Sequence, residues 1–229
     1  MATPTVFLDS YNRAFERGCT HLIAVLINGN GSGTYQAACL AKGMFEEEHG
    51  EGAMVIEVFD SRTYTYIYGH IVVKAAEMRE QGESFEAITS VIRSRLSRVE
   101  AYLGVYTLKY LKKSGRISGG AAFVGEALGL KPISHVYDGA VKVCDKVRGE
   151  KALVAGMSKK VSARVVQPDK QTAILLYGDV PAERLDEMEK RLRTEIGFRD
   201  VERVAIGPSV LTNTGPLAMA VAYYGTPRD

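Results

Sequence analysis

The feature that most constrains this fold is the run Leu22–Ile27, six apolar residues in succession. A strand that is apolar on both faces is typical of a parallel sheet covered by helices on each side. The glycine-rich segment Asn28–Thr34 follows, and apolar residues then recur at helical spacing from Thr34 to Glu48. This order predicts a buried strand, a tight loop and a helix.

The same order continues further along the chain. Met54–Phe59 predicts a second strand, Tyr66–Gln81 and Ser84–Val99 predict two helices, and Tyr102–Tyr106 predicts a third strand. Ser84 is suited to cap the second of these helices. Strands separated by helices favour right-handed crossovers and a three-layer α/β domain with a parallel sheet.

The second half of the chain has a different pattern. Asp138-Gly139 is a hairpin turn signal between the predicted strands Pro132–Tyr137 and Ala140–Cys144. Further predicted elements are helices at Glu150–Ala163 and from Pro181, and strands at Thr172–Tyr177, Val201–Ile206 and Ala218–Tyr224. We therefore expect an N-terminal α/β domain over residues 1–110 and a C-terminal α+β domain over residues 111–229.

Composition excludes several classes of function. Twenty-nine basic and 27 acidic residues leave a net charge of +2, which argues against a nucleic-acid partner. No apolar run approaches the roughly 20 residues that span a bilayer, so no integral membrane association is expected. Cys19, Cys39 and Cys144 are far apart, which indicates reduced and mostly buried thiols of a cytoplasmic protein.

The histidines supply no ligand-spaced pair, and the chain has no Ser-His-Asp order or HExxH motif. We therefore expect no catalytic residues, no metal site and no cofactor. The tyrosines at 64, 66 and 68 are interpreted as packing residues, with a contribution to an apolar tunnel left open.

The glycine-rich loop is the first candidate binding site. Backbone amides and the positive end of the helix dipole favour an anion there, and Ser32 and Thr34 add hydroxyl donors. No lysine follows the last glycine, so the loop is not a Walker A motif, and its glycine spacing is not that of a dinucleotide-binding loop. The alternative is a tight strand-to-helix turn with Thr34 as a cap.

A second candidate is the basic turn in which Lys112, Lys113 and Arg116 surround Ser114-Gly115. Taken alone, such a cluster is typical of a solvated loop. Its surroundings form an ordered set of motifs: Leu108–Ser118, Gly129–Ile133, Asp138-Gly139, Lys146–Arg148, and also Ser32–Tyr35, Asp60-Ser61, Gly207-Pro208 and Thr214–Pro216. In this order they closely resemble the DegV family over nearly the whole chain.

The resemblance implies a two-domain DegV-like fold that binds a long-chain fatty acid. The acyl chain would lie in an apolar tunnel and the carboxylate between the domains, held by Ser32, Gly33 and Thr34. By position, Asn213 and Arg116 would assist at the head group, and Arg148 would meet a partner. Such a protein presents the acid to the catalytic subunit of a fatty-acid kinase and is not itself an enzyme.

The sequence departs from the family pattern in two places. Roughly the first quarter of a family member, including a first strand, has no counterpart before the region matched by Ala2–Phe15. The histidine of the family's C-terminal motif is Asn213 here, and the glycine after its proline is Leu217. Asparagine hydrogen-bonds but carries no charge, so acid binding is expected to persist while the kinase-coupled step is less well supported.

Two other functions stay open at this point. One is an enzyme acting on a small phosphorylated substrate that the glycine-rich loop and Arg116 would hold. The other is a degenerate relative that only binds a protein partner. A long apolar cavity would favour the fatty-acid carrier, and a shallow polar cleft would favour the enzyme.

Overall fold

The computed structural model describes residues 1–107, 109–115 and 129–228. Its helices are α1 (Pro4–Glu16), α2 (Thr34–His49), α3 (Tyr66–Glu80), α4 (Phe85–Leu96), α5 (Lys109–Ser114), α6 (Glu150–Ser162), α7 (Ala182–Lys190) and α8 (Pro208–Thr214). Its strands are β1 (His21–Leu26), β2 (Val55–Asp60), β3 (Val99–Val105), β4 (Leu130–Tyr137), β5 (Ala140–Arg148), β6 (Thr172–Tyr177), β7 (Asp200–Ala205) and β8 (Ala218–Tyr224). They form two compact units: Met1–Tyr64 with Tyr68–Leu96, and Thr65–Ile67 with Ser97–Asp229.

The first unit is a three-layer α/β arrangement, as predicted. β1 and β2 pair in parallel, in register from His21 opposite Val55 to Leu26 opposite Asp60. One face of this pair packs with α1 and α2 around Phe45 and Ile56. The other face packs with α3 and α4 around Phe59, Ile71 and Ile92. Because successive side chains alternate between the faces, both faces of the pair carry an apolar core.

β1 is less covered than its apolar sequence predicts. Residues 22–26 are half-buried and His21 is exposed. Among the described residues β1 pairs only with β2. A strand at the edge of a sheet has a neighbour on one side only, so part of its surface stays exposed to solvent, whereas a second neighbouring strand covers that surface in a central strand.

The second unit contains a six-stranded mixed sheet with the order β5-β4-β3-β8-β6-β7. β6 and β7 pair in parallel, and the other neighbours are antiparallel. α6 and α7 cover one face, and their core side chains include Leu153, Met157 and Met188. This unit is therefore α+β, as predicted.

The structure places the third strand in a different sheet from the one that the sequence predicted. β3 was expected to complete the parallel sheet of the first domain, but it lies between β4 and β8 in the second sheet and is antiparallel to both. All seven of its residues are buried, so its sequence carries no facial pattern that would choose between two sheets. The preceding helix ends at Leu96 rather than Val99, and the two units divide between Leu96 and Ser97, whereas the sequence-based boundary falls after residue 110.

Several local predictions are confirmed. Asp138 and Gly139 have φ values of 48° and 73°, as the two central residues of a type I′ hairpin turn require. The Ser84 hydroxyl accepts the Ala87 amide at 3.1 Å and so caps α4. Leu185, Met188 and Leu192 face the core, although the helix changes to a π-helical turn at Arg191–Ile196.

A charged group is buried at one end of the second sheet, in what we call the Glu100 network. The Glu100 side chain has no exposed surface. It accepts hydrogen bonds from His135 Nε2 and Arg164 Nε, both at 2.7 Å, and from Tyr223 Oη at 3.4 Å. Burial by itself raises the pKa of Glu100, but the bonds from His135 and Arg164 outweigh it and the pKa is lowered. The carboxylate is therefore charged inside the unit.

The cysteines are more exposed than the sequence predicts. All three cysteines are unpaired, but all three are exposed, so the expectation of mostly buried thiols is wrong. They lie on outward-facing positions of a connection, a helix and an edge strand, which sequence spacing alone does not reveal.

Over the described ranges, no helix combines the length and hydropathy needed to cross a membrane.

Candidate functional site

The glycine-rich loop lies in the first unit, where β1 ends and α2 begins. The segment from Ser61 to Tyr64 leaves β2 at the same edge, because β1 and β2 are parallel. The carboxyl ends of parallel strands are where α/β folds bind their ligands. The predicted loop therefore occupies the expected position for a binding site.

Asn28 organises the loop from inside the protein. It is fully buried, its backbone amide donates to Thr63 O at 3.0 Å, and its Nδ2 donates to Tyr64 Oη at 2.6 Å. Its side-chain oxygen accepts the Asn30 amide at 3.1 Å, and its carbonyl accepts the Gly31 and Ser32 amides, each at 3.1 Å. One asparagine thus holds both ends of the turn.

Asp60 joins the loop to the end of β2. Its Oδ1 accepts the Gly29 amide at 3.0 Å and the Arg62 amide at 2.9 Å. Together, Asn28, Asp60 and Tyr64 form what we call the loop network. It binds the two adjacent strand-to-helix connections to each other.

The loop network corrects one part of the anion-site prediction. The backbone amides of residues 29–32 were expected to be available to a ligand, but all four donate within the network. The amides of the first turn of α2 differ, because no residue lies one turn earlier in the helix to accept them. Within the described structure no side chain caps this helix, so Thr34 is not the cap that the alternative interpretation of the loop required.

Ser32 and Thr34 supply the hydroxyl groups of the site. Both are half-buried, and their oxygens are 2.7 Å apart. Each hydroxyl can donate one hydrogen bond, and the pair needs only one donor for its mutual bond. The other O–H is therefore able to turn toward an oxyanion at the helix start, where the helix dipole favours negative charge.

The glycines of the loop are required by close contacts rather than by unusual backbone angles. A Cβ atom on Gly31 would lie 2.6 Å from Tyr64 Oη, and one on Gly29 would lie 2.8 Å from Asp60 Oδ2. A Cβ on Gly33 would lie 2.9 Å from Met1 Sδ. The start of the chain therefore contacts the loop, close to the threonine pair described next.

Thr3 and Thr5 form a second hydroxyl pair, with their oxygens 2.8 Å apart, at the N-terminus of α1. Like α2, α1 has no side-chain cap among the described residues. Since Met1 touches Gly33, the starts of α1 and α2 lie on the same side of the first unit. The sequence alone assigns no role to Thr3 and Thr5.

Tyr35 follows the hydroxyl pair on α2. A hydrogen bond with Cys39 raises the pKa of Tyr35, and burial and the nearby Asp60 charge raise it further. The phenol is therefore neutral at physiological pH and keeps its O–H as a donor. It adds no negative charge beside the Ser32 and Thr34 hydroxyls.

The remaining predicted site residues lie elsewhere in the chain. Arg116 falls outside the described residues. Asn213 is on α8 in the second unit, and its Nδ2 donates to Ser209 O at 2.8 Å and to Thr212 Oγ1 at 3.3 Å. Arg148 is exposed at the end of β5. The structure thus brings together Ser32, Gly33 and Thr34.

The segment Thr214–Pro216 makes the turn between α8 and β8. Gly215 has a φ of 86°, and Asp179 donates its amide to Pro216 O at 2.8 Å. A Cβ on Gly178 would collide with that same carbonyl, so the chain passes very close here. This part of the motif has a clear structural function.

Sequence reasoning missed the residues that support the loop. Asp60 is quoted in a family motif and Tyr64 is interpreted as a packing residue with a tunnel contribution left open, and the sequence assigns neither of them to the loop. The position of Asp60 at the end of a parallel strand was a usable signal, because such positions converge on the loop. No sequence pattern indicated the bond between Asn28 and Tyr64, which are 36 residues apart.

Comparison with known proteins agrees with this architecture. A DegV domain-containing protein from Caldanaerobacter subterraneus subsp. tengcongensis is 31% identical over 222 residues, 97% of this chain and 76% of that protein. The structure of a Ruminococcus gnavus DegV family protein with vaccenic acid has a TM-score of 0.84 at 25% identity, covering 96% of this chain and 76% of that one. A DegV family protein from Thermus thermophilus, described by its fatty-acid binding, has a TM-score of 0.86 at 26% identity. The match covers 99% of this chain and 78% of that one.

The fold therefore defines a two-unit α/β protein with a glycine-rich loop at the carboxyl edge of its parallel strands. The family model described as an uncharacterised protein of the DegV family matches residues 1–226. This chain belongs to the DegV family. It spans about three-quarters of the length of the relatives named above.

Proposed function

We propose that this chain binds a long-chain fatty acid and is not itself an enzyme. The observation that carries the proposal is the half-buried Ser32 and Thr34 hydroxyl pair at the start of α2. Two relatives of at least 25% identity support the ligand class, since one was solved with vaccenic acid and the other is described by its fatty-acid binding.

The carboxylate is proposed to bind at Ser32, Gly33 and Thr34. Hydroxyl and amide donors form charge-assisted bonds with a carboxylate, and such bonds are about twice as strong as neutral ones. The loop network holds these donors in place through hydrogen bonds to the backbone of the loop. Thr3 and Thr5 are proposed as further donors, since Met1 places the start of α1 beside Gly33.

Asn213 and Arg116 are proposed to assist the head group, as the family motif implies. Asn213 Nδ2 already donates to Ser209 O, so it would have to exchange a bond within α8 to reach a ligand. We therefore expect a smaller contribution from Asn213 than from Ser32. The role of Arg116 rests on the resemblance alone.

The acyl chain is proposed to lie in an apolar tunnel. Each buried methylene contributes about 0.8 kcal/mol, so the chain supplies most of the affinity while the carboxylate fixes the orientation. Methylene groups are uncharged, so their burial does not titrate with pH and is not weakened by electrostatic screening. Chain length should therefore affect affinity more than ionic strength does.

A fatty-acid kinase subunit is the proposed partner, with Arg148 as a contact. Arg148 lies at the end of edge strand β5, whose outward positions also carry Lys142 and Lys146. Such a basic row favours an acidic partner surface. With a purified kinase subunit, ATP and the loaded protein, Arg148→Glu should reduce acyl-phosphate formation at least tenfold, and Lys170→Glu should not.

Native mass spectrometry of the purified protein tests the main proposal. We expect a co-purified mass in the range of a long-chain acid, and saturable binding of labelled palmitate. Ser32→Ala should weaken palmitate binding at least tenfold, whereas Lys113→Ala on the basic turn should leave it unchanged. Absence of both extractable acid and palmitate binding would overturn the proposal, and equal effects of the two variants would place the head group elsewhere. A phosphate ester that competes with palmitate would favour the phosphorylated-substrate alternative.

A further inference from the structure

The connection between β2 and α3 leaves the same carboxyl edge as the glycine-rich loop and carries an exposed arginine, Arg62. The residues on either side of it, Ser61 and Thr63, are both buried. The Ser61 amide donates to Leu26 O at 2.9 Å. The Thr63 carbonyl accepts the Asn28 amide at 3.0 Å. Both neighbours of Arg62 are therefore bonded to β1 or to the loop that follows it, and Arg62 is held between them.

The backbone of Arg62 is bonded to the same carboxylate oxygen as the glycine-rich loop. Asp60 Oδ1 accepts the amides of Arg62 and Gly29, so a single oxygen atom separates the two segments. A hydrogen bond with Cys39 is the main cause of the raised pKa of Tyr35, while the positive charge of Arg62 acts to lower that pKa. The guanidinium therefore lies close enough to act on the first turn of α2.

Arg62 is the one cationic residue in the two connections at this edge. Residues 22–41, which run from β1 into α2, contain no charged residue. From residue 58 to residue 69 the charged residues are Asp60 and Arg62. The Asp60 carboxylate repels a second anion at short range. A fatty-acid carboxylate at the start of α2 would meet this repulsion, and Arg62 is placed to offset it.

Arg62 has an uncommon backbone conformation. Its φ is 52°, and that of Thr65 in the same connection is 53°. Four non-glycine residues of the described chain have a positive φ, so half of them lie in this one connection. Glycine would adopt the same conformation without the cost that a Cβ brings. Such strain is concentrated at functional sites, so arginine rather than glycine at this position indicates a function for its side chain.

We propose that Arg62 gives the candidate site its preference for a free fatty acid over an uncharged derivative, by pairing with the bound carboxylate. The proposal rests on the proposed fatty-acid binding at Ser32, Gly33 and Thr34 and adds a residue that determines its specificity. The hydroxyls and amides of those three residues can donate to an ester as well as to a carboxylate. A guanidinium distinguishes the two, since its charge attracts the anion and not the neutral group.

The test compares palmitate with methyl palmitate in variants of the full chain. Arg62→Gln should weaken palmitate binding at least tenfold and leave methyl palmitate binding within twofold of wild type. Arg17→Gln is the matched control, because it removes the same charge from an exposed position just before β1, at the opposite edge of the strand pair. It should leave both affinities unchanged.

Arg62→Gly separates binding from stability. The substitution removes the charge and also relieves the unfavourable φ, so the melting temperature should equal or exceed that of wild type while palmitate binding falls at least tenfold. Added salt should weaken palmitate binding to wild type and have little effect on Arg62→Gln, because screening acts on the charge that the variant lacks.

Two results would overturn the role of Arg62. Equal palmitate affinities in Arg62→Gln and Arg17→Gln would show that the carboxylate does not pair with this arginine. Loss of palmitate and methyl palmitate binding by the same factor in Arg62→Gln would show that Arg62 acts only through the shape of the loop. If wild type binds neither ligand, the proposed function fails first.

Discussion

The loop network and the Glu100 network bury polar groups in contrasting ways. The loop network joins Asn28, Asp60 and Tyr64 mostly to backbone amides and carbonyls of adjacent connections. The Glu100 network joins the Glu100 carboxylate to the side chains of His135, Arg164 and Tyr223, which are 35, 64 and 123 residues away in sequence. The first holds a short segment at the candidate binding site, whereas the second connects distant strands and the end of a helix. Damage to the first should affect binding, and damage to the second should affect folding.

The largest expected effect is that of Glu100→Ala. The substitution leaves Arg164 and His135 without their buried partner, and breaking a buried ion pair costs about 3–5 kcal/mol. Urea unfolding at pH 7 should show this loss. Asp145→Ala is the control, because its ion pair with Lys160 is partly exposed and should cost under about 1 kcal/mol. Similar costs for both variants would contradict the contrast between the two networks.

Acid should weaken the Glu100 network selectively. The pKa of Glu100 is lower in the folded protein than its usual value, so its contribution is fully present above the unfolded pKa and is lost as the pH falls through the folded pKa. The melting temperature of wild type should therefore drop steeply below about pH 4.3. In Glu100→Gln that part of the drop should be missing, and an unchanged profile would show that other carboxylates govern acid unfolding.

Gly31→Ala should separate binding from stability. The added Cβ would lie 2.6 Å from Tyr64 Oη, which is itself held by Asn28, so overpacking should cost about 1–3 kcal/mol. Palmitate binding should fall at least tenfold, because Ser32 follows directly. Gly43→Ala within α2 meets no atom within 4 Å and should instead stabilise the protein by up to about 1 kcal/mol. Calorimetry and palmitate titration measure both quantities.

Tyr64→Phe should have the smallest effect. It removes the hydroxyl that accepts from Asn28 Nδ2, and one such bond contributes about 1 kcal/mol. Palmitate binding should weaken a few-fold as the loop loosens. A Tyr64→Phe protein that binds and unfolds like wild type would show that Asp60 alone is enough to hold the loop.

Much of the fold was predictable because its signals are local. The Asp138-Gly139 turn, the Ser84 cap and the apolar spacing of α7 each depend on residues within a few positions of one another. The placement of β3 was not predictable. Its two partners, β4 and β8, lie far along the chain, and a strand buried on both faces fits either sheet.

The candidate site divides in the same way. Ser32 and Thr34 could be chosen from sequence, because a glycine-rich turn before a helix is a local anion signal. The sequence could not show whether the backbone amides of the loop are available to a ligand, since that depends on where Asn28 and Asp60 direct their side chains.

The sequence by itself determined helices α2, α3, α4, α6 and α7, the hairpin turn and the loop that begins α2, because short-range sterics and apolar periodicity dictate these features, and its ordered motifs indicated the family. Only the tertiary structure decided which sheet takes β3 and which loop amides are already bonded within the protein. These outcomes depend on pairings between residues far apart in the chain, where many arrangements satisfy the same local pattern and long-range packing selects one.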